Sequence, residues 1–477
     1  MKFTPFAKKL LKKIFLFSKR NRKNLYIVGG FLRDALLNKQ KESLDIDFCL
    51  PEGAIRFGHK LARQLKAGYV VLDKEHGACR LVKAIGDRDH TLDFTDFRAK
   101  TLEEDLKLRD FTINALALPL NAIFKKIDLL DSVVDPRGAA QDLKKRIIRV
   151  ASKKSFDDDA LRILRAYSFA CMLNFRIEPG TLELIRRKKK KLSGVSGERI
   201  REELFKIFSC PDSYTYFKKM DEAGVLKIVF PEINSMRDLA QGPYHHLDVL
   251  KHTFETIRQL EIIFLEFKDK RQVQEYLNEN ICAQRKRFAL MKLAAFLHDI
   301  GKPKALRHED GKIKFHGHEK IGCDITREIS VRLKLSNDER QALEKMVLWH
   351  LRPGYLSDHH PPSARAIFRY FRDTGQESLS TLYISLADQR ATKGPLTTRT
   401  SRLNHEKLAA GLIKEYFERK NEKKLPRLLS GDDLIKRFKL TPSPLIGKIL
   451  REIEELQAIG KISSKKEALA AASRIID

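Results

Sequence analysis

Acidic side chains are in short supply: 63 Asp and Glu stand against 93 Lys and Arg in 477 residues, a formal charge of +30. An excess of that size points to a polyanionic partner, nucleic acid or an acidic membrane surface, because basic groups gain affinity by releasing condensed counterions. Cysteine is sparse too. The six present (Cys49, Cys79, Cys171, Cys210, Cys282, Cys323) lie far apart with no C-x-x-C pair, which excludes a disulfide framework and a thiolate zinc site and fits a reducing cytosol. No apolar run approaches the roughly 20 residues that span a bilayer, and no repeat or low-complexity tract is present. The N-terminal FAKKLLKKIFLFSKRNRK breaks its apolar positions with lysines, so it is no signal peptide. Its Leu10, Leu11, Ile14 and Phe17 recur at helical spacing. That pattern fits a helix packed on the first domain, and also a membrane-surface helix or a transit peptide.

What is present is hydrophobic content for more than one core: 42% in a chain of this length predicts two to four globular units. From Leu25 to about Val150 the apolar runs are short and β-rich (LYIVGG, DIDFCL, GYVVL, TLDFTDF), with stretches of helical character between them. Beyond Phe156 apolar faces recur every three to four residues, interrupted by basic runs such as IRRKKKKL. Gly242-Pro243 and the region around Lys393-Gly394-Pro395 read as linkers on either side of a histidine-rich segment.

The segment LYIVGGFLRDALLNKQKESLDIDFCL carries the first chemistry: a strand ends in Gly29-Gly30, a helix follows, and a second strand bears Asp45 and Asp47. Carboxylates two apart on a strand share a face and can jointly hold divalent cations, although such a pair also suits a solvated strand edge. Paired glycines let backbone amides approach a triphosphate, and the following helix offers its positive N-terminus with Arg33 as a further phosphate ligand. The arrangement resembles the nucleotidyltransferase superfamily of polymerase β, and VGGFLRD is similar to bacterial tRNA CCA-adding enzymes and poly(A) polymerases. The resemblance implies a two-magnesium head with a third carboxylate from a later strand. In HTLDFTDFR that place falls to Asp93, with Asp96 as the lesser candidate.

TLEEDLKLRDFTINALALPL resembles the family's ribose-recognising segment, so Arg109, Asp110 and Asn114 become nucleotide-binding candidates, while Leu108 replaces a usual arginine. A spacing of four predicts that Asp110 and Asn114 share one helix face; alone, the pair would also suit a helix cap. SFDDDALRILRAYSFACMLNFRIEP resembles the family's base-reading helix, and the resemblance assigns the Watson–Crick edge of the incoming base to Asp159 and Arg162; Asp158 stands for a usual glutamate. The pair would otherwise read as a helix salt bridge. Glu198 and Arg199 open a helix similar to the family's structural neck, near the basic run at 187–191 suited to RNA backbone.

His252, His298-Asp299, His318, His350 and Asp388 lie on successive predicted helices, and imidazole with carboxylate suits a divalent metal. Their order resembles the HD phosphohydrolase superfamily, which implies His252, His298, Asp299 and Asp388 as the basic ligands and His318 and His350 as additions in two-metal members. The C-terminal LLSGDDLIKRF…KEALAAA is similar to the family's tRNA-body module.

The expected architecture is therefore multidomain, α/β followed by all-α: a polymerase-β-like nucleotidyltransferase head at 1–140, a helical base-recognition and RNA-binding neck at 141–240, an HD metal domain at 241–395 and a helical tRNA-binding tail at 396–477. The resemblance implies cytoplasmic addition of CCA, or its C or A part, to tRNA from CTP and ATP. It uses Mg²⁺ in the head, a divalent metal in the HD domain and no membrane. The competing expectations are a bacterial poly(A) polymerase and an RNA-binding HD phosphohydrolase.

Overall fold

All four of the β-rich runs and two further strands pair into one mixed sheet: β1 (Tyr26–Val28), β2 (Asp45–Leu50), β3 (Gly68–Asp73), β4 (Ala78–Ile85), β5 (Arg88–Asp96) and β6 (Ala117–Pro119), in the order β3-β4-β5-β2-β1-β6. β2 and β5 run parallel at the centre and every other pair is antiparallel. Phe48 and Phe94 are fully buried, and their rings stack at 4.8 Å on the face opposite the candidate carboxylates. In the computed structural model, residues 3–39, 43–86, 88–125, 128–358, 361–421 and 426–476 are described. The stretch between GYVVL and TLDFTDF, expected to be helical in character, is strand β4: Cys79 and Leu81 alternate with Arg80 and Val82, and Gly77 closes a tight turn with φ +61°.

The N-terminal segment is a helix, Pro5–Arg20, capped by Thr4, whose Oγ1 accepts from the Ala7 N–H at 3.1 Å. It buries Ala7, Leu10, Leu11, Ile14 and Phe17, and Phe17 packs on Phe57 at 5.2 Å. The expectation of a helix packed on the first domain is thereby met.

The chain divides into two compact units. The first comprises Met1–Ile207 and Met220–Val229, and so holds the sheet together with the helices Arg162–Leu173 and most of Gly197–Phe208. The second comprises Phe208–Lys219 and Phe230–Asp477 and is helical apart from short hairpins at 280–286 and 307–314. Its core helices are Val249–Glu266, Arg287–Leu297, His318–Arg332, Asn337–Trp349 and Ser378–Ala391. The C-terminal helices Gly431–Phe438, Pro444–Ala458 and Lys465–Ile476 close around Leu434, Ile449, Ile453 and Ala472. No described helix is long and apolar enough to cross a membrane, and all six cysteines are free.

Candidate active site and metal centre

Sheet register assembles the carboxylates. Asp47 lies opposite Val28 on β1 and Asp93 on β5, and Asp45 lies opposite Thr91, whose hydroxyl donates to it. Side chains opposed across neighbouring strands share a face, so Asp45, Asp47 and Asp93 project together. Asp96, three positions further on, turns to the other face, where its Oδ1 accepts from the Ala54 N–H at 2.8 Å and starts the helix Ala54–Leu65. Gly29 has φ +71°, and a Cβ there would sit 2.5 Å from Asp47 Oδ2. The turn from β1 into the helix Gly29–Leu36 therefore needs glycine for conformation and for space. Burial, and then the neighbouring Asp45, push the Asp47 carboxyl up to about 6, with Asp93 adding to the rise and Arg109 opposing it. A cluster this reluctant to carry its own charge fits a divalent cation as partner. Asp93 is held differently: the Arg80 guanidinium grips it with Nε and Nη2, both at 2.7 Å.

Beyond the carboxylates lies a chain of buried polar groups. Arg33 Nη1 donates to Asn114 Oδ1 at 2.9 Å, Asn114 Nδ2 donates to Asp110 Oδ1 at 3.0 Å, and Arg165 forks onto Asp110 Oδ2 at 3.0 and 2.7 Å. Arg165 also lies 3.7 Å from Glu203, which takes Ser168 at 2.5 Å and Lys206 at 2.7 Å. Both Arg33 and Arg165 stand over the Phe169 ring, at 5.3 and 5.1 Å. Burial would raise the Asp110 carboxyl, but Arg165 and Asn114 outweigh it and hold it below the usual range. The expected helix bearing Asp110 and Asn114 is absent. Phe111 is extended (φ −129°, ψ 153°) and bridges to Val150, so only a 3₁₀ turn, Thr112–Asn114, forms after it; the two side chains meet all the same.

Asp159 and Arg162 do not pair with each other. Asp159 is extended (φ −152°, ψ 108°) in the break between the helices Ser155–Asp158 and Arg162–Leu173, and its Oδ2 accepts from Arg199 at 2.8 Å. Arg162 donates to Ser155 Oγ at 3.1 Å and to the Leu108 carbonyl at 3.2 Å. That carbonyl is the backbone of the position where an arginine was expected. One cleft of about 750 Å³ runs from Gly29, Gly30, Asp45 and Asp47, past Arg33, Arg109, Asp110 and Asn114, to Asp159, Arg162 and Arg199.

In the second unit the histidines converge. His252 Nε2 lies 2.9 Å from Asp388 and 3.7 Å from Asp299; Asp299 also meets His298 at 3.2 Å, His318 at 3.3 Å and His350 at 3.9 Å. His298, His318 and His350 each give Nδ1 to the carbonyl three residues earlier, Ala295, Phe315 and Val347, at 2.8, 2.9 and 2.7 Å. Their Nε2 atoms are buried and engaged in no hydrogen bond, a costly state for a polar group. The ligand atoms of His252, His298 and Asp388, and those of His298, Asp299 and His350, lie within 4.8 Å of one another. Three inward imidazole nitrogens and two carboxylates fit a divalent metal. Despite its burial, Asp299 is held well below the carboxylate range by His298 and Lys302, whereas burial and the neighbouring imidazoles push His350 down to about 3. A cleft of about 260 Å³ opens beside Asp299 and Asp388, walled by His245, Lys302, Ser385 and His405.

Family models match both segments that carry these sites. Residues 25–149 match the poly A polymerase head domain, 174–237 the probable RNA- and SrmB-binding site of polymerase A, 249–393 the HD domain, and 412–472 the putative tRNA nucleotidyltransferase domain 2. The chain is 31% identical to an A-adding tRNA nucleotidyltransferase of Deinococcus radiodurans over 460 residues, 94% of each protein. The chain belongs to the tRNA nucleotidyltransferase family. It is also 30% identical to a CC-adding tRNA nucleotidyltransferase of Geobacter sulfurreducens over 444 residues, covering 93% of this chain and 90% of that one. A solved CCA-adding enzyme with ATP shares the fold at TM-score 0.66 and 23% identity, covering 100% of this chain and 97% of that one. A tRNA nucleotidyltransferase head depends on divalent metal, in keeping with the carboxylates of Asp45, Asp47 and Asp93 sharing one face of the sheet.

Several residues of these sites escaped the sequence reading. Arg80 belongs to β4, and its alternation with Cys79 and Leu81 would have set it on the carboxylate face had that strand been recognised. Arg165 falls three residues after Arg162, one helical turn on. Lys302 stands three residues after Asp299 in HDIGKP, and its Nζ lies 2.7 Å from Asp299 and 2.6 Å from Gln241 Oε1. His245 stacks edge-on against His252 at 4.8 Å, and burial pushes it down to about 3.

Proposed function

We propose that this chain adds CCA, or its C or A part, to the 3′ end of tRNA from CTP and ATP, without a template, in the cytoplasm. The observation that carries the reading is that one cleft of about 750 Å³ is lined both by Asp45 and Asp47 and by Asp159 and Arg162. The 3′-hydroxyl oxygen attacks the α-phosphorus, the bond from that phosphorus to the pyrophosphate oxygen breaks, the hydroxyl proton passes to solvent water and pyrophosphate leaves. Gly29 and Gly30 offer backbone amides to the triphosphate, with Arg33 and Arg109 supplying positive charge nearby. Asp110 and Asn114, braced by Arg165, take the ribose hydroxyls. Asp159 accepts from an exocyclic amine while Arg162 donates to ring acceptors, so the protein itself reads the base. Asp45, Asp47 and Asp93 are the residues that would hold Mg²⁺, which supplies charge neutralisation and activation of the attacking hydroxyl.

The division of labour follows residues 1–140 for the transferase head, 141–240 for base and RNA recognition, 241–395 for the HD domain and 396–477 for the tRNA-binding tail. In the HD domain His252, His298, Asp299 and Asp388, with His318 and His350, would hold a divalent metal, which would supply Lewis-acid activation for phosphoester hydrolysis on RNA ends or nucleotides. The test is incubation with Mg²⁺ and tRNA transcripts ending before CCA, after C or after CC, with labelled CTP and ATP offered separately and together. Addition that stops at CCA, at CC or at the final A supports the reading and names the product. Long A-tails would make the chain a poly(A) polymerase, and no incorporation would overturn the transferase reading.

A further inference from the structure

The cleft reaches past the carboxylates as far as Arg80. Beyond it the sheet continues: Asp47 lies opposite Asp93, Asp93 opposite Arg80, and Arg80 opposite Val70. One row along, Asp45 is followed by Thr91, Val82 and Gly68. Residues opposed in this way share a face, so Arg80, Val82 and Val70 extend the carboxylate face to the edge of the sheet. The reverse face of β3 and β4 is covered by the helix Ala54–Leu65, whose Gly58 comes so close that a Cβ would meet Cys79 Sγ at 2.4 Å. The carboxylate face carries Val70 at 54% exposure and Val82 at 37%. These two exposed apolar side chains adjoin the catalytic cleft, where they offer a surface to whatever enters it.

Geometry says what it binds. In nucleotidyl transfer the attacking and leaving oxygens stand on opposite sides of the phosphorus. The groups suited to the triphosphate, Gly29 and Gly30, lie at the end of β1, on one side of Asp47; β5, β4 and β3 lie on the other. The attacking hydroxyl must then arrive over β5 and β4. We propose that the open face of β4 and β3, with Arg80, Val82 and Val70, seats the 3′-terminal nucleotides of the acceptor RNA, and that Arg80 bonds the phosphate preceding the attacking hydroxyl. The proposal rests on the transferase reading of the cleft. Asp93 engages Arg80 through Nε and Nη2, which leaves Nη1 to donate to a phosphate oxygen, the planar fork suiting both oxyanions. The Arg80 side chain is 41% exposed and lines the cleft, so a phosphate can reach it. Sugar and base surfaces of an unpaired 3′ end pack against the two valines, and no base-specific group is required of the strip.

The test compares two tRNA transcripts, one with its unpaired 3′ end intact and one trimmed to the duplex, on the wild-type protein and on the folded variants Val82→Glu, Arg80→Ala and Arg80→Lys. Dissociation constants are read by filter binding, and KM values for RNA and for ATP by incorporation. The expected result is a rise of about tenfold in the dissociation constant and in KM for the intact RNA in Val82→Glu and Arg80→Ala, and a smaller rise in Arg80→Lys. The trimmed RNA should bind all four proteins alike, and ATP should bind Val82→Glu like the wild type in the absence of RNA. A Val82→Glu protein with wild-type circular dichroism that binds intact RNA normally, or loses both RNAs equally, overturns the proposal. Failure of the wild type to incorporate nucleotides would instead overturn the transferase reading, and the affinity comparison would still judge the surface.

Discussion

Asp47 concentrates the head's electrostatics in one side chain. Its folded-state pKa of about 6 lies above the ordinary value of 3.8. Between those two values the native protein keeps a proton that the unfolded chain has released. Stability therefore falls as pH rises through roughly 4 to 6, and does not recover above it. Asp47→Asn should flatten that slope and leave the protein more stable at pH 7 by on the order of 2 kcal/mol, read by thermal unfolding across pH. Mn²⁺ affinity at the head should fall about tenfold per pH unit below 6, as proton and cation compete for the same oxygens. Arg165 makes a second prediction: Arg165→Ala leaves Asp110 buried without its cation, so discrimination between ATP and dATP should drop at least tenfold, measured as a ratio of kcat/KM values. Single residues were the most legible level of this molecule. Asp45, Asp47, Asp110, Asn114, Asp159 and Arg162 could all be named from short motifs and all line one cleft. The bracing residues Arg80, Arg165 and Glu203 could not, because a guanidinium's partner depends on strand register and helix approach.

At the level of elements, the turn from β1 into the helix Gly29–Leu36 carries the most constraint. Gly29→Ala meets the positive φ and the Asp47 oxygen together. It should cost about 1–2 kcal/mol of stability from the backbone alone and reduce nucleotide addition at least a hundredfold, with the fold retained by circular dichroism. In the HD domain, a Cβ on Gly301 would lie 2.1 Å from the His318 carbonyl oxygen and 2.5 Å from the Gly322 nitrogen. Gly301→Ala should therefore unfold the second unit at lower temperature than the first, seen as a split calorimetric transition. Elements were partly legible. Alternation found β1, β2, β3 and β5, whereas β4 was missed because its exposed positions are a mixture of Arg80, Val82 and Ala84 that gives no clean polar face. The Asp110–Asn114 spacing suggested a helix, and the Phe111–Val150 bridge, a contact between residues 39 apart in sequence, prevents one.

For the whole molecule the charge of +30 is the dominant fact. RNA affinity should fall by about three orders of magnitude between 50 and 200 mM salt if six or more phosphates are engaged, a slope that filter binding measures directly. The two candidate centres lie in different compact units. The double variant His298→Ala, Asp299→Ala should therefore abolish metal-dependent hydrolysis of a phosphomonoester while nucleotide addition persists. The order of the chain, α/β first and helical afterwards, was readable from the change in apolar period near Phe156. The partition into units was not, since the segment Phe208–Lys219 belongs with residues beyond Phe230 while Met220–Val229 returns to the first unit. Such an exchange leaves no mark in composition.

The three imidazoles of the HD centre that bond back to carbonyls of their own segments have a kinetic consequence. With Nδ1 committed to Ala295, Phe315 and Val347, each ring has its tautomer and its rotation chosen before any ion arrives. An incoming ion then finds these three nitrogens already aimed, so metal loading should show no slow phase from ring reorientation.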